Sequence, residues 1–198
     1  MNRRLLPLCA AWTVLAAAAA GQPVIDVGTV DVQPNALATF AIEVSGGVDV
    51  QGLDLYLQVA DGGAANGGTG TMPTIIDVDI VGPGTVFAMS NTGQRDVLSS
   101  DLLWAVSTTT DPAVADPIPA AGVLAWVTLD TSGTTIGQSY PLTLTGVAEG
   151  VFGAPGVDTA FAGVPAQITN GTINIVPEPA TLGLLASAGL LVTRRRKR

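Results

Sequence analysis

Leu53-Asp54-Leu55-Tyr56-Leu57-Gln58-Val59 alternates apolar and polar residues along its whole length. In an extended chain successive side chains point to opposite faces. The three leucines and Val59 therefore share one face, and Asp54, Tyr56 and Gln58 share the other. Wound as a helix, the same residues would be scattered round the cylinder. The stretch predicts a half-buried antiparallel strand, apolar towards a core and polar away from it.

The same period recurs on both sides of it. Ala38, Phe40, Ile42 and Val44 alternate with Thr39 and Glu43, and Ile76, Val78 and Ile80 alternate with Asp77 and Asp79. Leu142 and Leu144 alternate with Thr143 and Thr145, while Val123–Leu129 is apolar on nearly both faces and reads as a central strand. Val24–Val32, Leu102–Val106 and Thr172–Val176 supply further strands. Between them lie a glycine-rich loop at Asp61–Gly70, a proline-rich stretch at Thr108–Ala121 and a long connection at Gly153–Pro165. No long 3.6-residue period occurs. Eight or nine strands at this spacing predict an all-β chain, folded as a single two-sheet β-sandwich over residues 21–176.

Two different segments flank that body. At the N-terminus, Arg3 and Arg4 precede an apolar run from Leu5 to Ala20, and Ala18-Ala19-Ala20 before Gly21 offers small residues for cleavage. This is the composition of an export signal over residues 1–20, with Ala18, Ala20 and Gly21 at the cut, and it implies the secretion translocon as a partner. The chain's one cysteine, Cys9, lies inside that segment, so the mature body has none and its stability must come from packing.

At the other end, residues 177–198 hold three parts in order: Pro177-Glu178-Pro179, a short apolar run from Thr181 to Val192, and Arg194-Arg195-Arg196-Lys197-Arg198. The prolines disfavour helix at and before themselves, so the tripeptide should be extended and accessible. The apolar run is short for a transmembrane helix, which takes about 20 residues. The five cations after it should stay on the cytoplasmic side. This arrangement resembles the PEP-CTERM sorting signal of bacterial surface proteins. The resemblance implies an exosortase-like membrane protease as partner, with Pro177, Glu178 and Pro179 at the processing site and Arg194, Arg195 and Arg196 in the stop. It also implies transient anchoring in the inner membrane through a short hydrophobic helix, then a cell-surface or extracellular-matrix location.

The body itself resembles a cohesin-like module of the carbohydrate-binding sandwich superfamily. The likeness is an order of features: Val32-Gln33-Pro34-Asn35, the strand from Val50-Gln51-Gly52 to Leu57, Val78-Asp79-Ile80-Val81-Gly82-Pro83-Gly84, Ala121-Gly122-Val123-Leu124-Ala125-Trp126-Val127, and Asn170-Gly171-Thr172-Ile173-Asn174-Ile175. It implies a cohesin-like jelly roll and leaves open a carbohydrate- or protein-binding module.

Composition removes most chemistry. Histidine is absent, which excludes Ser-His-Asp and Cys-His catalysis and His-ligated zinc. Between Gly21 and Pro177 there is no lysine, and Arg95 is the only cation among many aspartates. So acidic a body should repel nucleic acid and anionic lipid. A glycosidase-like acidic pair is the one catalytic arrangement left, with Glu43 and Glu149 the only glutamates of the body. Asp77 and Asp79, two apart on one strand face, are weak calcium candidates, although no Asp-x-Asp-x-Asp-Gly loop accompanies them. Tyr56 points away from the leucine face of its strand, and Trp126 shares a face with Leu124 and Thr128, opposite Val123, Ala125, Val127 and Leu129; both are candidate ligand contacts, for instance for an extracellular polysaccharide. The expected protein is a non-enzymatic, exported surface or matrix component that needs no cofactor. A binding module and an acidic-pair hydrolase are the competing readings.

Overall fold

The structure, a computed structural model, describes residues 22–46, 49–111, 118–144, 160–161 and 164–178. The strands are β1 (Val24–Asp26), β2 (Thr29–Val32), β3 (Leu37–Ser45), β4 (Asp49–Val50), β5 (Gly52–Val59), β6 (Thr74–Asp79), β7 (Arg95–Ser99) and β8 (Leu103–Thr109). They continue with β9 (Ile118–Pro119), β10 (Gly122–Asp130), β11 (Ser139–Leu144), β12 (Ala160–Phe161), β13 (Val164–Pro165), β14 (Gln167–Thr169) and β15 (Gly171–Ile175). One sheet is ordered β14-β1-β3-β10-β6. The other runs β7-β8-β5-β11-β15-β2, with β12 and β13 continuing beside β5 on its β11 edge. A small β4–β9 pair stands apart.

The alternation in Leu53–Val59 works as read. Leu53, Leu55, Leu57 and Val59 are all buried, and they face Ile25, Ile42, Val44, Val127 and Leu129 of the opposite sheet in one core. Apolar surface removed from water on the inner faces of both sheets is the main stabilising term. Trp104 packs half-buried against the same core.

The strands outnumber the expected eight or nine because Val24–Val32 is divided in two and because β4, β7, β9, β12, β13 and β14 are short strands that alternation does not reveal, β12 and β13 lying within the connection expected at Gly153–Pro165. Val24–Val32 begins in the first sheet as β1 and finishes in the second as β2, turning at Gly28, whose φ is 71°. The C-terminal end does the same: β14 lies parallel to β1, and β15 lies parallel to β2. The two crossings are bonded to each other. Val27 N–H donates to the Thr169 carbonyl at 3.0 Å, and Thr172 N–H donates to the Gly28 carbonyl at 3.1 Å. They run so close that a β-carbon on Gly171 would collide with the carbonyl oxygen of Gly28.

Three bulges explain where strict alternation fails. Leu124 is an extra residue in the β10–β3 ladder, so it turns inward and is fully buried instead of sharing the outer face with Trp126. Ile76 is extra on β6 against β10, so Ile75 takes the core position and Ile76 is left outside. Val97 is extra on β7. That bulge breaks the period in Arg95–Ser99, and periodicity alone does not reveal the strand. In the proline-rich stretch expected to be irregular, Ile118–Pro119 forms the short β9, Thr108 and Thr109 extend β8, and residues 112–117 lie outside the described set.

The glycine-rich loop after β5 is organised by one carboxylate. Asp61 accepts N–H bonds from Gly63 at 2.9 Å, Thr69 at 2.7 Å and Gly70 at 2.9 Å. Gly63–Asn66 makes a 3-10 turn inside the loop. The donors on Gly63, then Thr69 and Gly70, hold the Asp61 carboxyl below the usual carboxylate range.

Two outcomes follow. Gly171→Ala should lower stability by about 1–3 kcal/mol or more through forced displacement of the crossing strands, measured as a lower urea midpoint. Asp61 titrates lower in the folded than in the unfolded chain, so its contribution is present at neutral pH and is lost as pH falls through its folded value. Asp61→Ala should therefore cost stability at pH 7. The gap from wild type should begin to narrow below the unfolded carboxylate value of about 3.9 and close as pH falls through the lower folded value.

Candidate functional site

The chain leaves the sandwich at one end of the paired crossing strands. Ile175 lies opposite Val32, and the Val176 N–H donates to the Val32 carbonyl at 2.8 Å. The loop before β11 closes over the same point: Gly137 N–H donates to the Ile175 carbonyl and Ile175 N–H to the Gln138 carbonyl, both at 2.9 Å. Beyond Val176 no regular structure continues; Pro177 is half-buried and Glu178 is exposed. The remaining sorting residues, Pro179, Arg194, Arg195 and Arg196, lie outside the described residues, as do the short apolar helix expected before the basic tail and the signal-cleavage residues Ala18, Ala20 and Gly21. Among the described residues no helix is long and apolar enough to cross a membrane.

A second feature lies on the outer face of the sheet that carries β5. Asp54, Ser107 and Arg95 stand opposite one another across β5, β8 and β7, because the register pairs Asp54 with Ser107 and Ser107 with Arg95. Together with Thr92, Gln94 and Thr109 they line a groove enclosing about 430 Å³. The body's only cation thus shares a groove with a carboxylate. The walls remove enough water from Asp54 to raise its carboxyl above the ordinary range even though its side chain still reaches solvent. Gln94 braces one wall. Its amide donates to the Val78 carbonyl at 2.7 Å and to Asp96 at 2.8 Å, and its oxygen accepts from Ile80 N–H at 2.9 Å. This ties β7 to the end of β6 in the other sheet.

The residues singled out by pattern do not converge. Tyr56 is on β5 and Trp126 on β10, in different sheets and on opposite outer faces, so no single aromatic platform contains both. Tyr56 is 5% exposed and sits with Leu103 and Ala105, with Leu98 packed against them, which corrects the expectation of an exposed ring. Burial, then the nearby Asp54 charge, raises its hydroxyl pKa. Alternation fixed the face of Tyr56 correctly, but the cover over that face comes from residues distant in sequence. Trp126 does face outward, half-buried, with Nε1–H donating to the Pro83 carbonyl at 3.2 Å.

The acidic candidates are likewise dispersed. The Asp79 carboxylate accepts the N–H groups of Val81 at 3.0 Å and Gly82 at 2.6 Å, so it serves a turn. Asp77 is exposed, opposite Thr128. Among the described residues no three acidic side chains gather in a way that would hold a metal ion. Glu43 lies on the outer face of β3, and Glu149 lies outside the described residues. Sequence reasoning missed the Asp54–Arg95 groove. The available signal was Arg95 itself, the lone cation of an acidic body.

Comparison with known proteins agrees with both halves of this description. Residues 176–198 match the PEP-CTERM protein-sorting motif. No curated protein matches the chain. Among solved structures, the sixth cohesin of scaffoldin B from Acetivibrio cellulolyticus, in complex with a Cel5 dockerin, is 17% identical, with a TM-score of 0.52 over 78% of this chain and 99% of that one. The seventh ScaB type I cohesin from Pseudobacteroides cellulosolvens is 14% identical, with a TM-score of 0.54 over 80% of this chain and 95% of that one. A type I cohesin–dockerin complex from Clostridium thermocellum gives 14% identity and a TM-score of 0.52 over 78% and 99%. The chain therefore carries a PEP-CTERM sorting motif directly behind a sandwich with the cohesin fold.

Proposed function

We propose that this protein is an exported, non-enzymatic component of the cell surface or extracellular matrix. An exosortase-like membrane protease sorts it and cuts it near Pro177-Glu178-Pro179. The observation that carries this reading is the sorting motif at residues 176–198, which starts one residue after the last strand ends. In this scheme the N-terminal segment delivers the chain to the translocon. The apolar segment holds it in the inner membrane with the basic tail on the cytoplasmic side, and cleavage frees the sandwich. The chain acts as a substrate of processing, and the body remains stable afterwards because none of its core residues lies beyond Ile175 among the described residues.

A second reading concerns what the freed body does. Solved cohesins of the same fold are crystallised with dockerins, and the groove between Asp54 and Arg95 offers both signs of charge on a braced sheet face. That supports a binding module for a protein segment or a polysaccharide, with Arg95 as the candidate contact. Trp126 is a secondary contact on the opposite face.

The mass of the mature protein in the host's membrane and released fractions tests the first reading. The released form should lack residues 1–20 and everything after about Pro179; retention of Arg194–Arg198 in every fraction would overturn it. For the second, Arg95→Ala should abolish retention of host envelope polysaccharide or protein on the immobilised protein. Asp54→Asn is a clean companion. The groove disfavours the charged carboxylate, so removing that charge should leave the urea midpoint at pH 7 unchanged or slightly higher while altering retention. Equal retention by wild type and both variants would exclude the groove.

A further inference from the structure

The end of the sandwich from which the chain exits also carries a concentration of exposed apolar side chains. Leu37 opens β3 and is 70% exposed; Ile136, in the loop before β11, is 58% exposed; Met72, just before β6, is 38% exposed. They are one rim because their segments are joined. Asn35 N–H donates to the Thr131 carbonyl at 3.1 Å, and Gly133 N–H donates to the Asn35 side chain at 3.0 Å. The Met72 thioether lies against Gly133, at the position a β-carbon there would occupy. Ile136 is followed by Gly137, whose N–H is bonded to Ile175, the last strand residue before the exit. The rim and the exit are thus a single surface.

Resting on the sorting reading above, we propose that this rim seats on the lipid surface while the chain is anchored. Two facts commit it to lipid. The apolar segment begins at Thr181, five Cα steps after Val176, which is pinned to Val32. Those steps span at most roughly 18 Å even when fully extended. A membrane-inserted segment therefore holds this end of the sandwich, and no other, within reach of the bilayer interface. The second fact is charge. The same end carries Asp61, Asp101 and Glu178, all exposed, and no cation among the described residues. The rim suits a zwitterionic surface and is repelled by an anionic one, so the apolar contact and not charge provides the attraction. The opposite end, where Met89 is the most exposed of the large apolar side chains, faces away.

The test is hydrogen exchange on residues 21–198, the chain without its N-terminal apolar segment, reconstituted in phosphatidylcholine vesicles. Amides of residues 132–138 and of Met72, Thr74 and Ile75 should exchange several-fold more slowly than in the same chain without vesicles, while those of residues 86–91 at the far end should not change. The effect should weaken in phosphatidylglycerol vesicles. It should vanish in the Leu37→Ser/Ile136→Ser variant, whose urea midpoint should match wild type because both side chains are already exposed. Flotation with the vesicles but no slowing at the rim would overturn this proposal and leave the sorting reading standing. Failure to float would overturn both. Slowing that grows with protein density at constant lipid would assign the rim to a second copy of the chain and also overturn the proposal.

Discussion

The two chain ends cross from one sheet to the other side by side, and the sandwich depends on that crossing. β1 and β14 pair in the first sheet, β2 and β15 pair in the second, and the link between them is held by backbone bonds from Val27 to Thr169 and from Thr172 to Gly28. A sheet edge is a row of unmet donors and acceptors that must be covered or paired. Here each terminal strand covers part of both sheets, so the layers cannot slide or separate without breaking four ladders together. Glycine is required at 171 because the two backbones approach more closely than any side chain permits.

That closure also sets where the chain can leave. Since β15 runs parallel to β2 and ends opposite Val32, Val176 emerges at the end that holds the β2–β3 turn, the Asp61 loop and the loop before β11. Pairing β15 antiparallel to β2 would have sent the sorting segment out of the far end. The exposed Leu37, Met72 and Ile136 acquire their meaning from this: side chains on three separate segments share a surface with the membrane-directed tail. Acidity acts in the same scheme. Carboxylates such as Asp61 and Asp79 satisfy turn N–H groups, and the remaining excess of negative charge disfavours contact with anionic surfaces.

The face built by β5, β8 and β7 is the part of the body with local chemical character. Its outward row includes a buried patch around Tyr56 and, beside it, a groove lined by Arg95 and Asp54 from the two sides of β8. The Val97 bulge and the Gln94 brace hold β7 in position there. Neither is visible as a motif, since both consist of ordinary residues in extraordinary register.

The sequence by itself determined the class of fold, the inward face of the central strand and the sorting address. Period-two alternation in Leu53–Val59 specifies which side chains avoid water whatever the partner strands are, and the tripeptide, apolar run and basic tail are read as a linear signal. Tertiary structure alone decided the rest. Bulges at Leu124 and Ile76 reverse the expected faces because an extra residue shifts a two-residue period by one. Tyr56 is buried instead of displayed because its cover comes from distant strands. The Asp54–Arg95 groove and the rim at the exit exist only once register and strand order bring remote residues together, and no local pattern encodes that pairing.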